Sequence, residues 1–532
     1  MTQTGSVLCN LRLGDPIGGE SSLPRCHLGL LSIAAYAKTK GINVDVVDAD
    51  VEPLHDREVF RRLVHLRPSL VGFATTQATV RRAVTLAVEV KKVRPSTIII
   101  FGGEQATFTA ERLLGECQAL DAVLSGEGEL SFVQLVKQLS SMKVDFNLIP
   151  GAIYRAGGNT KHNLSTCVSD LDSLPWIGPL QAVEGRPVAL ITSRGCRGAC
   201  SFCSTPRFNR ACRRPAWRGR SPESVLDEIA AVASLSPKAS VDIHIHDADF
   251  LGMTDEGIDR ARRIAELLVA RGLRARIRFA CQAITATRAG LDFWRLWLRA
   301  GLIKVFIGYE SGTDEDLAFY RKPSRLADNM AARDVLRAAG VPSQVGFIMY
   351  NPFSTPERIA SNLLFLRAIG QDHVFKHVAA TLEVYPGTAV RDWLDASGLL
   401  QTDSRKGRFA PRYRSQRISR IVRALEPYRI RLYAQDRALL DLDFAAGGGD
   451  QGLLLSGEHM RINEAVLRLH NTHKRKRARV IQATFDELLK AADSEIEGLV
   501  EQLAARLDCS YNAFGAAVAK AAGTLHKEPA HV

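Results

Sequence analysis

The chain has 532 residues, 46% apolar and 24% charged, and carries a net charge of +13. These proportions exclude disorder over most of the length, a coiled coil and a collagen-like repeat. The length exceeds the ~250–300 residues at which single cores split, so two or three domains are expected. No apolar run approaches the ~20 residues of a membrane span, and the first residues show no basic start leading into an apolar core, as a secretory signal would. Ten cysteines are too sparse for a disulfide scaffold. A cytoplasmic location without membrane contact is expected.

Residues 1–150 alternate strand and helix signals. Gly29–Gly41 has helical apolar spacing and stops at Lys-Gly. Val44–Asp50, Ser69–Thr76, Ser96–Glu104 and Ala122–Glu129 read as strands, with a helix over Val80–Val93. Continuous apolar strands between helices are buried on both faces, which implies a parallel sheet. The strands end in small or polar residues, at Thr75, at Gly102 and Gly103, and at Gly126. In an open α/β sheet ligands lie beyond such ends, so this is an α/β, doubly wound, Rossmann-like binding domain. Residues 151–187 read as a connector whose later part is punctuated by prolines.

Residues 188–400 form a second βα series. Its strand signals are VALITSRG, VDIHIHDADF, ARIRFACQA, KVFIGYESG, SQVGFIMYNPF and AATLEVYPGT, with helices such as Ser221–Leu235 and Asp255–Arg271 between them. Ser221-Pro222-Glu223 supplies an N-cap, a first-turn proline and a first-turn acid. Six strands alternating with helices fit a partial (β/α)6 TIM-like barrel with its chemistry at the carboxyl ends of the strands. Residues 401–532 lose the strand signal and are expected to be helical, with a soft tail after Ala521. Basic residues cluster at Arg194–Arg220, at Arg405–Arg431 and in the HKRKRAR run at His473–Arg479. No helix-turn-helix, RNP or zinc-finger pattern accompanies them, so a solvated or covering face is favoured over nucleic-acid binding.

The strongest motif is SRGCRGACSFCST, which spaces Cys196, Cys200 and Cys203 as C-x3-C-x2-C directly after the first barrel strand. A structural zinc site takes four ligands, and a fully protein-ligated iron–sulfur cluster also takes four cysteines. Three thiolates would leave one iron of a [4Fe–4S] cluster open to an outside ligand. The competing reading is a zinc knuckle with Cys212 as fourth ligand, in a nucleic-acid-binding protein.

The spacing, with Phe202 before the last cysteine, resembles the signature of the radical S-adenosylmethionine (SAM) superfamily. HDADF (His246–Phe250), GYESG (Gly308–Gly312), GFIMYNPF and VYPGT (Val384–Thr388) resemble that family's later strand ends. Upstream, RCHLGLLSIAAYAKTKGINVDVVDAD, FGGEQATF and LSGEGELSFVQLV resemble the cobalamin-binding domain of one large subgroup, in the same order along the chain. The resemblance covers roughly residues 20–390. It implies a [4Fe–4S] cluster on Cys196, Cys200 and Cys203, SAM chelating the open iron, and cobalamin in a crevice edged by Thr75, Gly102, Gly103 and Gly126. It further implies adenine near Phe202, and Asp247, Gln282 and Glu310 around the ribose and amino group of SAM. The D-x-H-x-x-G motif that supplies a cobalt ligand in methionine synthase is missing; His27 stands in the corresponding loop without it. The activity implied is methyl transfer to an unactivated carbon or phosphorus of a small-molecule substrate, with electrons from a donor such as flavodoxin or ferredoxin. Ring cyclisation or rearrangement, and transfer of the 3-amino-3-carboxypropyl group of SAM to an acceptor such as arsenite, are the alternatives within the same scaffold.

Overall fold

The computed structural model describes residues 5–12, 26–139, 144–181, 187–213, 215–235, 240–403, 408–446, 453–455, 458–460 and 464–523. Its first sheet contains β1 (Ser6–Asn10), β2 (Asp45–Asp48), β3 (Leu70–Ala74), β4 (Ile98–Gly102), β5 (Ala122–Leu124), β6 (Ala152–Ala156) and β7 (Asn159–His162), in the order β2-β1-β3-β4-β5-β6-β7. The first five are parallel, and β6 and β7 are antiparallel additions. Alternate residues of single strands enter opposite cores: Val71 and Phe73 join Ile99 and Phe101 on one face, whereas Leu70 and Ala74 join Ile100 and Leu124 on the other. Burial on both faces is why these strands read as continuous apolar runs.

Two features of this sheet depart from expectation. Strand β1, with sequence SVLCN, pairs with both β2 and β3, but it is short and has one β-branched residue. The stretch beginning at residue 151, expected to be connector, opens with the β6–β7 hairpin, which turns at Gly157 and Gly158, with φ of 60° and 81°. Two consecutive residues at positive φ are what a tight hairpin turn requires, and glycine supplies them.

The barrel sheet comprises β8 (Val188–Leu190), β11 (Val241–Ile245), β12 (Ala275–Gln282), β13 (Leu302–Glu310) and β14 (Ser343–Phe347), all parallel, in the order β14-β13-β12-β11-β8. Between β8 and β11 lie β9 (Ser193–Gly195) and β10 (Trp217–Gly219), a small antiparallel pair flanking the cysteine loop. Among the described residues the partial barrel therefore has five strands in its ladder. The sixth expected segment is reduced to isolated bridges, Tyr350–Thr381 and Val384–Phe409. Pro352 and Pro386 each remove a backbone donor beside these bridges.

The region after residue 400 is mostly helical, but it also contains two short hairpins, β15 (Leu400–Asp403) with β16 (Arg408–Pro411) and β17 (Leu453–Leu455) with β18 (Glu458–Met460). The tail expected beyond Ala521 falls largely outside the described residues. The helices here share the barrel's core through Ile418, Ile421, Leu425, Phe485 and Leu503. Much of the basic charge is structural. Arg417 donates to the carbonyls of Leu488 and Ala491 at 2.7 Å, capping the helix Glu464–Leu488. Arg477 of the HKRKRAR run is fully buried, paired with Asp436 at 2.6 Å. Among the described residues no helix is long and apolar enough to cross a membrane.

Candidate active site

The carboxyl ends of β3, β4 and β5 face the barrel mouth across a cavity of about 400 Å3. From the first domain it is lined by Gly72, Gly102, Gly103, Gly126 and Gly128, with His27, Leu30 and Phe132. From the barrel side it is lined by Ser193, Arg194, Gly195, Phe208, His246 and Ala248. The glycines are needed for space and for backbone conformation. A Cβ on Gly126, whose φ is 92°, would sit 2.8 Å from Cys212 Sγ. One on Gly102 would meet only Leu124 O, at 3.8 Å, and would point into open cavity. Three of the four expected crevice residues therefore edge the cavity. Thr75 does not; it is buried, and its hydroxyl donates to Gly102 O at 3.1 Å.

A charged network missing from the sequence reading locks the two sides together. Arg194, two residues before Cys196, donates to Glu129 at 2.6 Å and pairs with Glu127 at 3.2 Å, and Ser32 also donates to Glu129 at 2.6 Å. Arg218 takes the other oxygen of Glu127. Burial by itself pushes the Glu129 carboxyl up, but the Arg194 charge and the hydrogen bonds from Arg194 and Ser32 outweigh it and hold the group below its usual range. The LSGEGE and SRGC segments, read separately as strand end and metal loop, thus form one contact. His27 caps the helix Leu28–Thr39, its Nδ1 accepting from Leu30 N at 3.2 Å. Burial lowers its pKa, so the ring is neutral and its proton lies on Nε2.

The cysteine loop is tied down on both sides. Ser201 N donates to Tyr320 O at 2.8 Å and its hydroxyl to Phe319 O at 3.0 Å. Ser204 donates to Glu104 of the first domain. Phe202 packs edge-on against Tyr320 at 5.7 Å. Cys196 and Cys200 border Gly198, where a Cβ would lie 3.3 and 3.7 Å from their sulfurs, and Gly198 N donates to Cys196 Sγ at 3.3 Å. Burial raises all three thiols, Cys196 to about 12 and Cys200 to about 11. The fit to a metal centre lies in the loop itself: Cys196 and Cys200 flank Gly198, whose lack of a side chain leaves the space between their sulfurs open. A mononuclear zinc site fits less well. Cys212, the fourth ligand such a site would need, packs on Gly126 of the other domain.

At the strand ends beside the loop, Glu310 has a φ of 66° at an irregularity in the β13–β14 pairing, which turns its carboxylate over Gly308 and Gly346. Burial raises its pKa against the opposing charge of Lys322. Lys322, almost wholly buried, lies 3.8 Å from Glu310 and donates to Gln282 Oε1 at 2.6 Å. Gln282 and Glu310 are thus joined through Lys322, which no motif marked. Asp247 is differently placed from expectation. Its carboxylate accepts from Thr192 N, Thr192 Oγ1 and Ser193 Oγ at 2.6–2.8 Å, which ties β8 to β11. Two residues on, Asp249 is fully buried with no side-chain partner within hydrogen-bond distance, and burial pushes its pKa to about 7. Asp249 is held by the backbone N–H groups of Leu251 and Gln282, so it is the less engaged of the two carboxylates.

Two family models match parts of the chain. Residues 17–136 match the B12 binding domain, and residues 190–366 match the radical SAM superfamily. The two models together match more than half of the chain. The protein is a cobalamin-binding radical SAM enzyme. Its cofactors are a [4Fe–4S] cluster, SAM and cobalamin, and enzymes of this kind act on small molecules with electrons from an external reductant. An uncharacterized methyltransferase of Pyrococcus horikoshii is 26% identical over 392 residues, covering 70% of this chain and 80% of the relative. An anaerobic magnesium-protoporphyrin IX monomethyl ester cyclase of Rubrivivax gelatinosus is 27% identical over 335 residues. That alignment spans 60% of this chain and 57% of the relative's length. The cobalamin-dependent radical SAM enzyme OxsB, solved with aqua-cobalamin and SAM bound, superposes with a TM-score of 0.74 at 16% identity, over 97% of this chain and 84% of that one. At that identity the likeness is one of fold.

Proposed function

We propose that this radical SAM enzyme methylates an unactivated carbon, or a phosphorus, of a small molecule. The observation that carries the reading is the cavity of about 400 Å3 shared by strand ends of the cobalamin-binding domain and by Ser193–Gly195, which run directly into Cys196. When bound, the cluster supplies the electron that breaks the 5′ carbon–sulfur bond of SAM, and the corrinoid supplies a methyl group. In this reading Cys196, Cys200 and Cys203 hold the cluster. Gln282, Glu310 and Lys322 grip the polar part of SAM, and Asp249 takes its ammonium, with Phe202 and Tyr320 as the apolar wall. Gly102, Gly103 and Gly126 leave the corrinoid its room. Asp247 and Arg194 are positioning residues: the first holds β8 against β11, and the second closes the interface and keeps water from the reacting atoms.

The name of the Pyrococcus relative supports methyl transfer, and that of the Rubrivivax relative supports a cyclase as the second reading. The test is which sulfur–carbon bond of SAM is cleaved. Anaerobically reconstituted protein turning over its substrate should yield S-adenosylhomocysteine and 5′-deoxyadenosine in about equal amounts. A cyclase would give 5′-deoxyadenosine with little S-adenosylhomocysteine. 5′-Methylthioadenosine as the dominant nucleoside would show 3-amino-3-carboxypropyl transfer instead. Either result overturns the proposal.

A further inference from the structure

Five described residues other than glycine have a positive φ, and three of them belong to the neighbourhood of the cysteine loop. Glu310, at 66°, and Arg321, at 53° and directly before Lys322, shape the group already described. The third is Met253, at 59°, in the turn between β11 and the helix Asp255–Arg271. Left-handed backbone strains a residue that carries a side chain, and such strain persists only where the surroundings enforce it.

The turn is held from both ends. At its start Asp249 O accepts from Trp217 Nε1 at 2.9 Å and from Gly252 N at 3.3 Å, while Phe250 N donates to Ala280 O at 3.0 Å. Residue 252 has to be glycine, because a Cβ there would lie 2.8 Å from the Trp217 ring. At its end the Thr254 hydroxyl accepts from Gly257 N at 3.1 Å and caps the following helix. Arg288 donates to Met253 O at 3.5 Å. Glycine would adopt the conformation of residue 253 without steric cost. What methionine offers there and glycine does not is its side chain.

That side chain reaches the cysteine loop. A Cβ on Gly198 would lie 3.3 Å from Cys196 Sγ, 3.7 Å from Cys200 Sγ and 3.8 Å from Met253 Sδ, so three sulfurs border one small space. Met253 is half-buried there. Its thioether is uncharged and flexible, which suits it to filling an irregular gap. An uncharged group at the edge of a cluster displaces water. Reduction adds negative charge to a centre already held by thiolates, and water would stabilise that charge, so its exclusion lowers the reduction potential.

We propose that Met253 is a guard over the Cys196–Cys200 edge of the cluster, held in place by a strained backbone, where it shuts out water and keeps the potential low. The inference rests on the reading that Cys196, Cys200 and Cys203 hold the cluster.

The test uses full-length protein reconstituted anaerobically with iron, sulfide and hydroxocobalamin, and compares Met253→Gly and Met253→Leu with wild type. The rate at which EDTA strips iron without oxygen, the midpoint potential from a titration followed by electron paramagnetic resonance, and the urea midpoint of the apo-protein are measured. Met253→Gly should lose iron at least threefold faster and its potential should move in the positive direction, while its urea midpoint holds or rises as the strain is relieved. Met253→Leu, apolar and of similar size, should stay within twofold of wild type in iron loss. Unchanged iron loss and potential in Met253→Gly, or a Met253→Leu protein that loses iron as fast as Met253→Gly, overturns this inference alone. A lower urea midpoint in Met253→Gly would mark the side chain as structural and overturns it as well. Wild-type protein that takes up no iron, or Cys196→Ala protein that retains it, overturns the reading on which the inference rests.

Discussion

Gly102→Leu should expel the corrinoid while leaving the fold intact. A Cβ at Gly102 meets only Leu124 O, at 3.8 Å, and the residue is not among those with positive φ. The substitution therefore costs little in the empty protein. The four added carbons occupy about 100 Å3, at roughly the ~30 Å3 that one water takes in the liquid. That is about a quarter of a cavity of about 400 Å3. A rigid macrocycle cannot give way as a flexible side chain would, and overpacking costs about 1–3 kcal/mol. At ~1.4 kcal/mol per factor of ten, hydroxocobalamin affinity should fall roughly 5- to 150-fold. Gly126→Leu is the poorer variant, because positive φ and the contact with Cys212 Sγ would strain the fold itself. Absorbance titration of the full-length protein, with urea denaturation as the folding control, measures both quantities. Unchanged cobalamin affinity in a folded Gly102→Leu protein would refute the assignment of the crevice.

Two further outcomes follow from the buried charges. Arg194→Leu leaves Glu127 and Glu129 buried with part of their pairing gone; breaking such a network costs about 3–5 kcal/mol, so the urea midpoint and cobalamin affinity should both fall, and an unchanged midpoint would count against the lock. Asp249 has a pKa raised from 3.8 to about 7, so between those values the folded apo-protein binds more protons than the unfolded chain and stability falls as pH rises. The loss is on the order of 4 kcal/mol at most between pH 4 and 8. Asp249→Asn should lack that slope and bind SAM more weakly, which denaturation across pH and SAM titration would check.

What could be read from the sequence is what is local. Cys196, Cys200 and Cys203 lie within one loop, and the small residues at Gly102, Gly103 and Gly126 end strands whose apolar runs are unmistakable. On the SAM side, Asp247 and Asp249 lie on the same motif two residues apart. Which of them is consumed by the fold is decided by Thr192 and Ser193, 55 and 54 residues from Asp247, in the segment that leads from β8 into β9. Lys322 stands outside every motif and reaches Gln282 across 40 residues, from a turn where Arg321 has a φ of 53°. The Arg194 network joins two domains, so no local window holds both partners. The β6–β7 hairpin did carry a signal, Gly157-Gly158 between alternating residues, but the prolines that follow gave the whole stretch the look of a connector.

Cofactor content per chain tests the central claim most directly: two separately held cofactors serving one cavity. Protein purified and reconstituted without oxygen should contain about four irons, four sulfides and one corrinoid, as a cysteine-bound [4Fe–4S] cluster beside cobalamin requires. Replacing Cys196, Cys200 or Cys203 with alanine should remove the iron and leave the corrinoid, and Gly102→Leu should do the reverse. Cys212→Ala should retain the iron. Zinc in place of iron, or iron lost as completely from Cys212→Ala as from the other three, would contradict the account.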